Sequence, residues 1–243
     1  FKRVLFRSRD HFGQVPGGMF GGDEVSRPGF SDPRQGIETC GIVEQMNSDE
    51  HMLRITGDLF WADHTEEVAF NQYPAAVMPD FRSLRYLTSP NMVVNDDQNH
   101  APGIFNNGPY LMMNPFSSRC CQHNHTQGWP YFTENLWMAT PDDGIAAMLF
   151  APSHVRFKSG KQEVTITEET RYPFEPIIRL TISTEEDVVF PLYLRIPGWA
   201  HAAKVRVNGK PAGVQPRPGS LVKLSAEWSD GDQVELEIGR AHV

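Results

Sequence analysis

Apolar residues recur at helical spacing soon after Glu38. Val43, Met46, Leu53 and Ile55 stand among Glu44, Gln45, Asp49 and Glu50, a pattern that predicts an amphipathic helix. Thr56-Gly57-Asp58 predicts its stop, with Gly57 suited to the left-handed cap position. A second helix is predicted through Phe60, Trp61, Val68, Ala69 and Phe70, ending before Pro74. Residues 78–118 read as irregular, with a short strand at Leu84–Leu87. A third helix is predicted over about Thr126–Ala139, with Phe132, Leu136 and Ala139 along one face and Pro130 near its start, a residue tolerable only in a first turn. After Pro141 the period changes to short β-rich or alternating runs: 164–167, 178–182, 192–196, 205–207, 221–224 and 234–236. Asn208-Gly209, Pro218-Gly219 and Asp230-Gly231 punctuate them. The expectation is helical material over 9–140, then an antiparallel β-sandwich over 141–236.

The segment Arg9–Gly36, rich in Gly and Pro, reads as a long ordered loop, and loops of this length in compact domains are usually functional. The two ends read differently. Phe1–Ser8 (FKRVLFRS) and Glu237–Val243 (EIGRAHV) resemble translated short-read sequencing adapter and are expected to be scars, with the natural protein continuing beyond both. On that expectation the missing N-terminus leaves localisation open: cytoplasmic, periplasmic and secreted settings all stand.

Composition narrows the function classes. Of 243 residues 40% are hydrophobic and 21% charged, an ordinary globular balance that argues against disorder. The net charge of -8 argues against a nucleic-acid partner, which needs clustered Lys and Arg. No apolar run approaches the roughly 20 residues of a transmembrane helix, so no membrane partner is expected.

Candidate chemistry gathers at the three cysteines, Cys40, Cys120 and Cys121. Adjacent cysteines seldom bond to each other, and a Cys40 disulfide to either one strands the third. Metal binding uses all three, with Glu38 as a fourth donor; zinc favours four ligands of this kind. Both Glu38-Thr39-Cys40 and Cys120-Cys121 fall near predicted helix starts, where anionic donors are favoured. His123 and His125 are competing ligands in reach of the same turn. The spacing is not that of a zinc finger, and on spacing alone buried reduced cysteines remain the commoner reading.

The strings GGDEVSRPGFSDPRQGIETCGIVEQM, SSRCCQHNHTQGWPYFTENLWMATPDDGIAAMLFAPS and FPLYLRIPGWA together resemble the bacterial family 127 glycoside hydrolases, the β-L-arabinofuranosidase group. The resemblance implies the C-terminal part of an (α/α)6 barrel catalytic domain followed by a β-sandwich. It implies a zinc ion held by Glu38, Cys40, Cys120 and Cys121, with Cys120 also the nucleophile of a retaining hydrolysis. The family's acid/base glutamate corresponds to Glu24, with Asp23 the second candidate. A zinc-bound thiol is deprotonated outright, which explains how a cysteine replaces the usual carboxylate nucleophile. The implied substrate is a glycan carrying β-L-arabinofuranose or a related plant sugar, and a homodimer is expected of the full-length protein.

Two departures from the family pattern stand out. Gln122-His123-Asn124 comes directly after the double cysteine where well-known members have two prolines before the Asn, which bears on the substrate. The N-terminal part of the barrel is absent, so the chain alone is expected to show little activity. The alternative function is a zinc-stabilised carbohydrate-binding or structural module, since a closed four-ligand site is also what a structural zinc looks like. His123, Asn124 and His125 are candidate substrate contacts or local backbone caps. Trp129, Tyr131 and Trp137 either stack a sugar or belong to the core. Asp96, Asp97, Asn99 and His100 read as a solvated loop, and Trp199 as packing between strands.

Overall fold

The computed structural model describes residues 37–88, 111–112 and 119–239. The Gly-rich loop with Asp23, Glu24, Arg27 and Arg34, and the cluster Asp96, Asp97, Asn99 and His100, lie outside these residues. The chain forms two compact units, one comprising 1–52 and 64–132, the other 53–63 and 133–243. The first is helical with short β bridges; the second is mostly β.

In the helical unit, strand β1 (Ile37–Glu38) leads directly into helix α1 (Thr39–Thr56). Ile42, Val43, Met46, Asp49, Glu50, Met52 and Leu53 are buried, the spacing of one helical face. Ile55, which the sequence pattern assigned to the apolar set, is 71% exposed, because it falls on the opposite side. Gly57 ends the helix with φ +65° and an N–H bonded to the Leu53 carbonyl at 2.8 Å, the expected left-handed stop. Helix α2 (Phe60–Glu67) starts after Asp58, whose carboxylate accepts from the Phe60 N–H at 3.2 Å. His64 Nδ1 lies 2.5 Å from Asp49 Oδ2, a buried contact tying α2 to α1.

The second helix does not stop before Pro74. A π turn (Val68–Gln72) inserts one residue, and a last turn, α3 (Tyr73–Ala75), comes after it. The Tyr73 N–H bonds the Val68 carbonyl, five residues back. Proline is then at the start of a new turn, where its missing N–H costs nothing. Strands β2 (Leu84–Arg85) and β3 (Leu87–Thr88) replace the single predicted strand; β3 pairs with β1, and β2 with β4 (Leu111–Met112).

The third predicted helix is divided differently. Helix α4 (Arg119–His125) ends at Thr126-Gln127, and α5 (Gly128–Glu134) carries Pro130 in its first turn as expected. Trp137–Ala139 is strand β5, not helix. It pairs with β6 (Ile145–Ala147), whose backbone offers bonds that continued helix would forgo.

The β unit holds two sheets. One has four strands in the order β13 (Ser220–Trp228), β10 (Val188–Ile196), β6, β5. The other has six, in the order β12 (Lys210–Pro211), β11 (Lys204–Val207), β14 (Gln233–Glu237), β9 (Ile177–Thr184), β8 (Gln162–Thr170), β7 (Ser153–Ser159). Pairings are antiparallel except β6 with β10, which the chain reaches only after making β7, β8 and β9 of the other sheet. Alternation along β8 and β9 buries Val164, Ile166, Ile178, Leu180 and Ile182, and these share one core with Phe190, Leu192 and Trp228 from the smaller sheet. Asn208-Gly209 (φ +50° and +75°) closes the β11–β12 hairpin, as its sequence predicts. Strand β14 runs through Glu237 and Ile238 is buried, so the ordered sheet reaches into the terminal segment EIGRAHV.

At the end of β10 the fully buried Arg195 donates to the Met148 carbonyl and to Asp63, and lies 5.2 Å above the Phe150 ring. Trp199, in the turn just beyond, is 38% exposed rather than packed between strands.

Candidate metal centre

Glu38 and Cys40 are positioned by a short piece of sheet that runs into a helix. Glu38 pairs with Leu87 across β1 and β3, the Thr39 N–H bonds the Tyr86 carbonyl at 3.0 Å, and the Thr39 hydroxyl donates to the Arg85 carbonyl at 2.6 Å. Thr39 is fully buried, so the middle residue of Glu-Thr-Cys is a clasp that fixes the two donors on either side. Cys40 sits in the first turn of α1. Cys120 and Cys121 are consecutive on α4, where neighbours project about 100° apart; Cys121 is buried and Cys120 exposed.

These two stretches meet. The donor atoms of Glu38, Cys40, Cys120 and Cys121 all lie within 4.8 Å of one another. Cys40 Sγ is 3.2 Å from Cys121 Sγ, and Cys121 Sγ is 3.5 Å from Glu38 Oε1. The first distance is far beyond the roughly 2.05 Å of a disulfide, and all three cysteines are free. Tetrahedral zinc with Zn–S near 2.3 Å puts its donors about 3.5–3.8 Å apart, so side-chain adjustments of an ångström or less bring the four groups to a common centre. Three soft thiolates and one carboxylate suit a borderline ion such as zinc and not a hard one such as magnesium. The group fits a metal ion.

The electrostatics within the cluster are uneven. Hydrogen bonding from Cys121, with smaller contributions from Asn124, Glu38 and Cys120, lowers the Cys40 thiol from 9.0 to about 6 against the opposing effect of burial. Cys121 is pushed up by its bond to Cys40 and by burial. Cys120 is raised by desolvation and by the charge of Cys40. Of the three thiols, Cys40 is therefore the one whose anionic form its neighbours favour.

The other sequence candidates divide. Asn124 comes close enough to Cys40 to hydrogen-bond its thiolate. His123 is exposed. His125 is half-buried, lowered by desolvation, and its ring lies 4.8 Å from that of Tyr73. A cavity of about 1130 Å³ adjoins this helix, with Gln122, His125, Tyr73, Met78, Arg85 and Trp129 among its lining. Trp129 packs against Phe70, Tyr73 and Phe132 and also borders that cavity, so it serves both the core and the open face. Trp137 lies on β5, its indole donating to Ser153 at 3.1 Å. Thr39 and Tyr73 were not singled out from the sequence; a buried threonine clasp and a tyrosine directly after a π turn leave no pattern to read.

Comparison with known families places both parts of the chain. A profile described as the GH127 catalytic domain of β-L-arabinofuranosidases matches residues 3–134, and one described as the GH127 middle domain matches residues 144–240. Among solved structures, a GH127 β-L-arabinofuranosidase from Geobacillus stearothermophilus T6 superposes with a TM-score of 0.76 at 22% identity, covering 96% of this chain and 37% of that one. A GH127 β-arabinofuranosidase gives 0.74 at 19% identity over 95% and 37% of the two chains. A glycoside hydrolase gives 0.73 at 23% over 87% and 34%. At this identity the superpositions speak for the fold, and the chain spans about a third of each relative's length. No curated protein sequence matches the chain.

Proposed function

The chain belongs to glycoside hydrolase family 127, and on that premise we propose that it is part of a retaining β-L-arabinofuranosidase-like hydrolase, carrying the nucleophile on Cys120 and the acid/base on Glu24. On this reading the helical unit is the C-terminal part of an (α/α)6 barrel and the β unit a sandwich. The observation that carries the proposal is the meeting of Glu38, Cys40, Cys120 and Cys121 within 4.8 Å, with Cys120 the most exposed of the three thiols.

A bound zinc ion would supply charge that keeps Cys120 as thiolate at neutral pH. Glu38, Cys40 and Cys121 would hold it, and Thr39 would keep the first two in register. In the first step the Cys120 sulfur forms a bond to the anomeric carbon as the glycosidic C–O bond breaks, and Glu24 gives its proton to the leaving oxygen. In the second step Glu24 takes a proton from water, whose oxygen displaces the sulfur and restores the thiolate. Two displacements retain the anomeric configuration. His123, Asn124 and His125 are the proposed sugar contacts, and the substrate is a plant-type glycan ending in β-L-arabinofuranose.

The test is a full-length gene product containing this chain, assayed on β-L-arabinofuranosyl substrates. Cys120→Ser is expected to abolish turnover, and denatured wild-type enzyme quenched during turnover is expected to carry a pentosyl mass on the Cys120 peptide. Full turnover by Cys120→Ser rules the covalent role out. Zinc and sugar binding without turnover on any glycoside supports a structural module instead.

A further inference from the structure

Helix α4 has only seven residues, too few to hold its own shape, so the placement of the cysteine pair depends on what grips its ends. At the C-terminal end the grip is a tyrosine. The Tyr73 hydroxyl donates a hydrogen bond to the main-chain carbonyl of His125, the last residue of α4. Such terminal carbonyls have no partner inside the helix, so this bond is a cap supplied from another element. The Tyr73 ring, 2% exposed, lies 4.8 Å from the His125 imidazole at 33° and 5.2 Å from Trp129 at 72°. Beneath it, a Cβ on Gly128 would come within 2.5–2.8 Å of the Tyr73 ring and hydroxyl, so glycine at the first position of α5 makes the approach possible. The π turn preceding Tyr73 rotates the downstream residues by about 100° relative to an uninterrupted α-helix, which sets the direction of this side chain.

We infer that Tyr73 is a positioning residue for the metal centre: by capping α4 at His125 and packing on Gly128, it fixes where Cys120 and Cys121 present their sulfurs. The inference rests on the reading of Glu38, Cys40, Cys120 and Cys121 as metal ligands. Cys121 is four residues from the capped carbonyl, about 6 Å along the helix axis, so a displaced end reaches the ligands within one turn.

The test uses Co2+ as a spectroscopic probe of the full-length gene product containing this chain, with affinity from chelator competition and geometry from the cobalt–thiolate absorption bands. Tyr73→Phe keeps the ring and removes the hydroxyl, and with it both the cap on His125 and the bonds from the Gly128 and Trp129 main chain; about tenfold weaker binding and shifted bands are expected, the size typical of supporting contacts around a metal site. Gly128→Ala, which keeps the hydroxyl but crowds the ring, is expected to do the same. Met52→Ala serves as the control, since Met52 is buried in the same unit about 18 Å along α1 from Cys40. It is expected to lower thermal stability while leaving the bands unchanged. Wild-type affinity and spectrum in Tyr73→Phe overturn the inference, as does an equal change in Met52→Ala. A wild-type chain that takes up no cobalt or zinc overturns the metal reading and this inference with it; binding by the wild type that is indifferent to Tyr73 overturns this inference alone.

Discussion

Arg195 offers a sharp quantitative test of the β unit. Its guanidinium is wholly removed from solvent, and its charge is met by Asp63, itself 26% exposed. The arginine Nε donates to the Met148 carbonyl, and the second Asp63 oxygen accepts from the Gly198 N–H at 2.8 Å. A Cβ on Gly198 would stand 2.8 Å from that same oxygen, so the glycine is what lets the carboxylate approach. Replacing Asp63 by alanine leaves a buried cation facing a hole. Breaking such a pair costs about 3–5 kcal/mol; the partial exposure of Asp63 lets water enter and places the expectation near the lower end, about 3 kcal/mol. For a unit of roughly 120 residues, that corresponds to a fall in Tm of about 12 °C. Arg195→Met in the same background removes the stranded charge and is expected to restore most of the loss. Urea denaturation followed by tryptophan fluorescence and circular dichroism measures both. A change under about 0.5 kcal/mol for Asp63→Ala, or no recovery in the double variant, refutes the reasoning.

Local geometry sets two further outcomes. In the metal-free, reduced chain, Cys40 is expected to be alkylated with a midpoint near pH 6, because hydrogen bonding from Cys121 favours its thiolate; Cys120 and Cys121 are expected to react only at more alkaline pH, and equal midpoints by peptide mass spectrometry contradict this. Gly209→Ala meets no atom within 4 Å, so its cost is purely the strain of φ +75°, about 1–2 kcal/mol by urea denaturation, and an unchanged midpoint contradicts it.

The range of the forces involved decided which features could be read from the sequence and which could not. The stop at Gly57 and the Asn208-Gly209 hairpin were legible because each is enforced by a local backbone conformation. The alternation in β8 and β9 was legible because one face of each strand is buried. The cluster of Glu38, Cys40, Cys120 and Cys121 was legible only as a set of donors. Its closure joins residues 81 to 83 positions apart, and the β1–β3 bridge and Thr39 clasp that position Glu38 and Cys40 leave no periodic trace. Trp137–Ala139 was misread as helix because Phe132, Leu136 and Ala139 keep a helical spacing, while the partner strand that overrides it begins only at Ile145. The helix expected to end before Pro74 was misread for a related reason: a π turn resets the register, and no sequence period announces it.

On the proposed function, one divalent ion is held by Glu38, Cys40, Cys120 and Cys121. Metal analysis with X-ray absorption at the zinc edge tests it most directly. One zinc per chain is expected, with three sulfurs at about 2.3 Å and one oxygen at about 2.0–2.2 Å around it, lost when Cys40 and Cys121 are both replaced by serine. A purified, reduced chain that retains no zinc, or a first shell without sulfur, contradicts it.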